Sequence, residues 1–426
     1  FPKSDEAAIV LDLENGGCWD KAEDTHIEVV DGNSIRGWRH SKGWAKAQKM
    51  FFYAVFSKPF EKNEKMFIQK DGLTRYARFS FRTQQGEQVL MKVGISAVSM
   101  DGAKMAVEKE QPAWEFEKTK KQAWERWNKE LSKIKIETSD ESSRKIFYTA
   151  LYHTMVAPSL FSDVDGAYRG ADGKVYNKSR NVYTTMSLWD TYRAAMPLYH
   201  IIHPSKRADL INTMLDIFDE QGKLPVWHLM GNETDCMVGN PGVIAVAEAI
   251  VKGIEGIDKE RAYKACKASV MLDERGQDIR KKYGYIPCDL YEEACANDME
   301  YAIADAAVAN AARVLGHHED EKFFRNRSHS WRNFFDKETQ FVRGRTADGG
   351  WRTPFNPFSA EHRANDYCEG NAWQYTWLAP HDLKGLLEAF GGRDKMTHRL
   401  DSLFKAPSVL GKDASPDMSG LIGQYV

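Results

Sequence analysis

The 426 residues carry 59 Lys and Arg against 61 Asp and Glu, a formal net charge of −2, with 42% hydrophobic and 12% aromatic residues. With no excess of basic charge to neutralise phosphates, a general nucleic-acid binder is excluded, and the ordinary apolar fraction excludes a disordered chain. No run of about 18 uncharged apolar residues offers a membrane span, and at roughly 150 residues per domain the length predicts two or three domains.

The first hundred residues read as strands. Met50–Phe60 is β-rich and stopped by Pro59. Tyr76–Arg82 alternates with period two, Gln84-Gln85-Gly86-Glu87 reads as a turn, and Val89–Ile95 returns, which predicts a hairpin. We therefore expect a piece of an antiparallel sheet domain over residues 1–110. A charged, helix-prone linker follows over 111–139, and its Trp114, Phe116, Trp124 and Trp127 are expected to pack against a neighbouring domain. From residue 140 the apolar spacing changes to 3.6. Amphipathic segments lie at 142–153 and 210–218, Pro241 opens a helix through 250, and further helices are expected near 259–272, 297–315, 319–337, 382–391 and 394–405. Strands followed by a run of helices give an α+β multidomain chain, with helical hairpins over 140–426 closing fully or partly into a toroid.

Six cysteines, Cys18, Cys236, Cys266, Cys288, Cys295 and Cys368, include no Cys-x-x-Cys pair and fit no zinc framework, so buried thiols are expected. The chain contains no phosphate loop, dinucleotide fingerprint, His-Glu-x-x-His or Gly-x-Ser-x-Gly. Carboxylate chemistry, thiol chemistry or pure binding remain.

Four polar loops between the regular elements crowd acids, amides and rings together. Phe161–Gly170 contains Asp-Val-Asp-Gly, which reads as a turn because the later glutamate of a calcium loop is missing. In Ser187–Arg193, Asp190 and Arg193 are three apart, so on a helix they could pair or together clasp hydroxyls beside Trp189. Gly231–Pro241 is polar and ends at a helix start, where it serves as a capping loop or holds a ligand oxygen. In Asn365–Tyr375, Asp366 and Glu369 stand among rings and amides. An apolar setting disfavours the ionised carboxyl and raises its pKa, as a general acid near neutral pH requires. Asn371 and Gln374 offer neutral oxygens to a hard cation or a hydroxyl. A purely structural loop is the equal alternative on these residues alone.

Along nearly its whole length the sequence resembles the exo-acting α-mannosidases of glycoside hydrolase family 92. The resemblance is carried by Gly37-Trp38-Arg39, Phe56–Phe60, Phe147–Met155, Phe161–Gly166, Ser187–Arg193, Gly231–Thr234, Cys236-Met237, Glu369–Tyr375 and Gly420–Tyr425. It implies an N-terminal β-sandwich followed by an (α/α)6 toroid, and calcium-dependent, inverting hydrolysis of terminal α-linked mannose from N-glycans or mannans. By the same resemblance Glu369 is the general acid, and Trp189, Asp190 and Arg193 bind the terminal mannose. Asn232, Glu233 and Cys236 contribute further substrate contacts, and Asn371 and Gln374 are candidate calcium ligands. Members of the family are exported and are longer than this chain. An incomplete sandwich, an incomplete toroid and a general base lying beyond Val426 are accordingly expected. The start, Phe1-Pro2-Lys3, fits a mature form or an excised piece. The alternative is a mannose-binding fragment without the base. A trehalase- or glucoamylase-type enzyme is a third reading.

Overall fold

The computed structural model describes residues 1–17, 19–62, 66–361, 363–407, 412 and 414. Cys18 and the Gly420–Tyr425 segment lie outside the described residues. The chain divides into two compact units, one formed by 1–187 with 227–234, the other by 188–226 with 235–426.

The first unit opens with seven strands in two antiparallel sheets: β1 (Ser4–Asp12), β2 (Lys21–Val29), β3 (Ser34–Lys42), β4 (Gln48–Phe56), β5 (Phe67–Lys70), β6 (Leu73–Thr83) and β7 (Met91–Ser96). One sheet has the order β1-β6-β5 and the other β2-β3-β4-β7. Period-two alternation sends Phe52, Ala54 and Phe56 of β4, and Ala77, Phe79 and Phe81 of β6, into a common interior with Ile27 and Ile35. The rings of Phe56 and Phe79 lie 5.3 Å apart. The two inner faces make a β-sandwich, as the family resemblance implies.

The hairpin expected between β6 and β7 does not form. β6 pairs with β1 and β5, whereas β7 crosses to pair with β4, Phe51 opposite Ser96. The turn at residues 84–87 therefore passes the chain from one sheet to the other. Helix α1 (Met100–Glu110), capped by the Ser99 hydroxyl accepting from the Gly102 amide, covers the outer side of β4 and β7. Gly94 on β7 permits that approach, since a Cβ there would meet the Ala103 carbonyl oxygen at 2.0 Å.

Helices α2 (Phe116–Leu131) and α3 (Glu141–His153) follow. Of the four aromatic residues expected to pack on a neighbouring domain, Trp114 meets the sandwich through Lys92 of β7, whose Nζ lies 4.3 Å from its ring, whereas Phe116 and Trp124 are 65% and 66% exposed in this chain and no residue of α2 is buried. Trp127 meets the similarly exposed Tyr152 ring, at 4.6 Å.

The second unit is helical: α4 (Leu188–Thr191), α5 (Ala195–Ile202), α6 (Pro204–Gln221), α7 (Pro241–Val251), α8 (Lys259–Val270), α9 (Gln277–Tyr283), α10 (Ala294–Leu315), α11 (His318–Arg327), α12 (Ala372–Tyr375), α13 (Leu383–Phe390) and α14 (Arg393–Lys405). Proline occupies the first turn of α6 and α7, where its missing amide hydrogen has no helical partner to lose. The helix expected over 319–337 ends at Arg327. A single 3-10 turn follows, and then Phe335-Asp336 enters a two-stranded ribbon with Phe341-Val342. α10 is buried over most of its surface and packs on α7, α8 and α11.

Beneath α10 lies a buried ionic cluster. Arg280 donates to Asp298 at 3.2 Å and to Asp305 at 2.7 Å, and Arg327 donates to Asp305 at 2.9 Å. The Ile286 amide and the Ser330 hydroxyl complete Asp298. Asp298, Asp305 and Arg280 are buried, and the partly exposed Arg327 brings the cluster to two carboxylates and two guanidiniums.

Candidate active site

The Glu369 loop is fixed from both ends. Tyr367 donates its hydroxyl to the Val342 carbonyl at 2.6 Å, and Tyr375 donates to the Cys368 carbonyl at 2.6 Å while accepting from the Cys368 amide at 3.3 Å. Asp366 is buried, accepting from Arg352 at 2.8 Å and from the Gly344 amide at 2.9 Å. Burial pushes its carboxyl above the ordinary range, with Arg352 opposing. Asn371 then starts α12 with a reciprocal cap: its side chain accepts from the Trp373 amide at 3.0 Å, and the Gln374 side chain accepts from the Asn371 amide at 3.0 Å. Gly370 leaves room for this tight turn, since a Cβ would lie 2.9 Å from the Tyr375 ring.

Between these anchors Glu369 adopts φ 45°, in the left-handed region that costs a non-glycine residue about 1–3 kcal/mol. Glu293, at φ 48°, lies beside Cys368, and Met237, at φ 70°, has its sulfur 4.0 Å from the Cys368 sulfur. Arg275, at φ 52°, donates to the Met237 carbonyl. Strained residues therefore converge on one loop cluster, as they do where a side chain is held in a functional pose.

Glu369 opens into a cavity of about 250 Å³. Trp189, Asp190 and Arg193 form one wall, and Cys368, Glu369, Gly370, Gln374, Tyr375 and Leu378 the other. A flat indole, two acids and a guanidinium around a space of this size suit a single hydroxyl-rich ring. Thiol chemistry is disfavoured: burial first, then the neighbouring Glu293 and Glu369, push the Cys368 thiol far above its ordinary pKa, so it stays protonated. Burial also pushes Cys288 up to about 11.

Comparison with known proteins agrees. Residues 102–426 match the glycosyl hydrolase family 92 catalytic domain, and residues 1–96 match the family's N-terminal domain. The chain belongs to glycosyl hydrolase family 92. A family 92 α-mannosidase from Bacteroides thetaiotaomicron is 34% identical with a TM-score of 0.88, over 96% of this chain and 56% of that one. The same enzyme has also been solved in complex with mannoimidazole. An inverting family 92 mannosidase from Bacteroides thetaiotaomicron VPI-5482 is 27% identical with a TM-score of 0.84, covering 97% of this chain and 57% of that one. An uncharacterized secreted glycosidase from Arthroderma benhamiae is 25% identical over 77% of this chain and 43% of its own length. This chain thus spans about half the length of these relatives.

Within this family 92 chain, the structure brings Trp189, Asp190, Arg193, Glu369 and Gln374 around one cavity. Asn232 and Glu233 belong to the other unit and have structural partners there. Asn232 accepts from the Ala47 amide at 3.0 Å, and the buried Glu233 accepts from the Trp227 amide at 2.9 Å. Cys236 is half-buried. The side-chain oxygens of Asn371 and Gln374 both accept backbone amides in the helix cap. Among the described residues no group of three or more His, Cys, Asp or Glu side chains is placed to hold a metal.

Sequence reasoning missed Glu300. It lies on α10, 1% exposed, and accepts from Trp189 Nε1 at 3.0 Å, from the Tyr192 hydroxyl at 2.8 Å and from Arg193. The partner suggested for Arg193 by spacing alone was Asp190. The helical turn ends at Thr191, and beyond it the guanidinium reaches Glu300. Burial disfavours the Arg193 charge, but Glu300 outweighs it and raises the pKa. One signal was legible: three acids, Asp298, Glu300 and Asp305, inside the alanine-rich run 294–312 of a helix that is buried nearly all round.

Proposed function

We propose that this protein is an exo-acting, inverting α-mannosidase that removes terminal α-linked mannose from N-glycans or mannans. The observation that carries the reading is the strained Glu369 facing Trp189 and Asp190 across a cavity of one-sugar size. Family membership and the α-mannosidase relatives support it. The helical unit is then part of an (α/α)6 toroid, and an exported location follows the secreted relative.

In this mechanism Glu369 donates its proton to the leaving glycosidic oxygen as the bond to the anomeric carbon breaks. Trp189 offers an apolar face to the ring, and Asp190 and Arg193 hold its hydroxyls. Inversion needs a second carboxylate on the opposite face of the sugar, roughly 6.5–9.5 Å from the acid, to deprotonate the attacking water. No described residue is assigned that role. Calcium assistance rests on the family. The described residues do not assemble a cage for the ion, with Asn371 and Gln374 committed to the cap, so no step is routed through it.

The test is mannose release from an α-mannobiose, with and without a calcium chelator, by wild type and Glu369→Gln. Wild-type release that the chelator suppresses, with turnover lost but binding kept in the variant, is the expected result. An aryl mannoside with a good leaving group needs less protonation and should suffer less. Undiminished mannobiose turnover by Glu369→Gln removes Glu369 as the acid. Binding without release by wild type leaves a mannose-binding protein.

A further inference from the structure

We propose that Glu300 is a positioning residue that sets the sugar-binding wall of the cavity; the inference rests on the mannosidase reading of that cavity. One buried carboxylate gathers three side chains from a single short stretch. Oε1 accepts from the Trp189 indole and from Arg193, and Oε2 accepts from the Tyr192 hydroxyl. The Arg193 guanidinium also lies over the Tyr192 ring at 4.7 Å and the Trp189 ring at 5.6 Å, and its Nε donates to the Trp189 carbonyl at 3.1 Å. Two of these three, Trp189 and Arg193, line the cavity on either side of Asp190.

The helical turn that carries Trp189 and Asp190 is four residues long and cannot fix side-chain directions by itself. Glu300 supplies the fixed point, because α10 is buried along nearly its whole length and does not move with a surface loop. The opposite side of Glu300 is closed by Gly239, where a Cβ would sit 2.4 Å from the Glu300 Cβ. Gly239 is itself held by Arg275 donating to its carbonyl at 3.0 Å. The carboxylate is therefore trapped between a glycine and three donors, with both oxygens engaged. Its negative charge also balances Arg193 in the wall, so the cavity presents hydroxyl-binding groups without a stray cation.

Three variants test this. Glu300→Gln keeps the shape but turns an amide toward donors. Gly239→Ala crowds the Glu300 side chain at its Cβ without removing the carboxylate, and adds backbone strain because Gly239 has φ 76°. Tyr192→Phe releases one donor and leaves Glu300 intact. Fluorine NMR of fluorotryptophan-labelled protein, with Trp189 assigned by Trp189→Phe, reads the indole's environment without any substrate. Binding of mannoimidazole and the split of kcat from KM on an aryl α-mannoside read the consequence. The expected result for Glu300→Gln and Gly239→Ala is a shifted or broadened Trp189 resonance with mannoimidazole affinity lowered at least tenfold. Tyr192→Phe should show a smaller loss, several-fold and mostly in KM, with thermal stability near wild type. An unmoved Trp189 resonance and affinity within twofold of wild type in a folded Glu300→Gln or Gly239→Ala protein would overturn the proposal. If wild type neither binds mannoimidazole nor cleaves a mannoside, the mannosidase reading fails, and the Trp189 resonance alone decides the role of Glu300.

Discussion

His228 makes the first unit sensitive to acid. It sits in the short strand Trp227–Leu229, whose neighbours are Met186 on one side and Glu233 on the other. The ring is 3% exposed, and neither nitrogen has a hydrogen-bond partner among the described residues. Burial pulls its pKa down from 6.5 to about 4. The folded value lies below the unfolded one, so the folded chain holds fewer protons than the unfolded chain throughout this window. The stability that a neutral His228 retains above pH 6.5 is lost as pH falls through the window. One pH unit corresponds to about 1.4 kcal/mol, giving a loss of about 2 kcal/mol at pH 5 and about 3 kcal/mol near pH 4. Urea unfolding followed at pH 7.5, 6 and 5 for wild type and His228→Leu measures this directly, because other titrating groups cancel in the difference. Wild type should lose about 2 kcal/mol relative to the variant between pH 7.5 and 5. Parallel stability curves for the two proteins would refute the reasoning and mean that the ring is hydrated or paired.

The ionic cluster under α10 gives a second expectation. Asp305→Ala leaves Arg280 and Arg327 facing each other without their shared carboxylate, and should cost about 3–5 kcal/mol. Thermal unfolding of the helical unit reads this as a lower midpoint, and a midpoint within 2 °C of wild type would contradict it. Asn371→Ala removes the acceptor of the Trp373 amide and should cost about 1 kcal/mol. Because that cap adjoins Glu369, the same variant should lower kcat on a poor leaving group more than on an aryl mannoside. Equal effects on both substrates would show that the cap does not position the acid.

The strand and helix runs were legible in the sequence where a single face is buried. Phe52, Ala54 and Phe56 announce β4, and Ala77, Phe79 and Phe81 announce β6, because alternation is imposed by one interior. The sheet to which β7 belongs was not legible. The residues of the 84–87 turn fix a reversal but carry no information about which sheet edge receives the next strand, a choice made by β4 and α1. In the site, the Glu369 loop and the Trp189 segment stand out because acids and amides crowd around rings over a few neighbouring residues. Glu300 is harder to see, because it is distant in sequence from the segment it organises and shares its alanine-rich helix with two other acids, Asp298 and Asp305. The capping roles of Asn371 and Gln374 could have been found, since an Asn followed three residues later by Gln is a helix-start pattern. Metal coordination was read there because amide oxygens serve either purpose.

The passage of the chain from β6 across to β7 has a temporal consequence. β1 cannot find its partner until β6 exists, since Asp12 pairs with Tyr76 and Ser4 with Thr83. The other sheet waits for β7, whose Ile95 pairs with Phe52. A chain emerging from the ribosome can form β2, β3 and β4 as a local meander. β1 stays apart from β6 until the chain has been made as far as Thr83, and such distant pairings form slowly because closing the long loop costs entropy first. During that interval the edge of β1 that β6 will occupy is open to pairing with neighbouring chains.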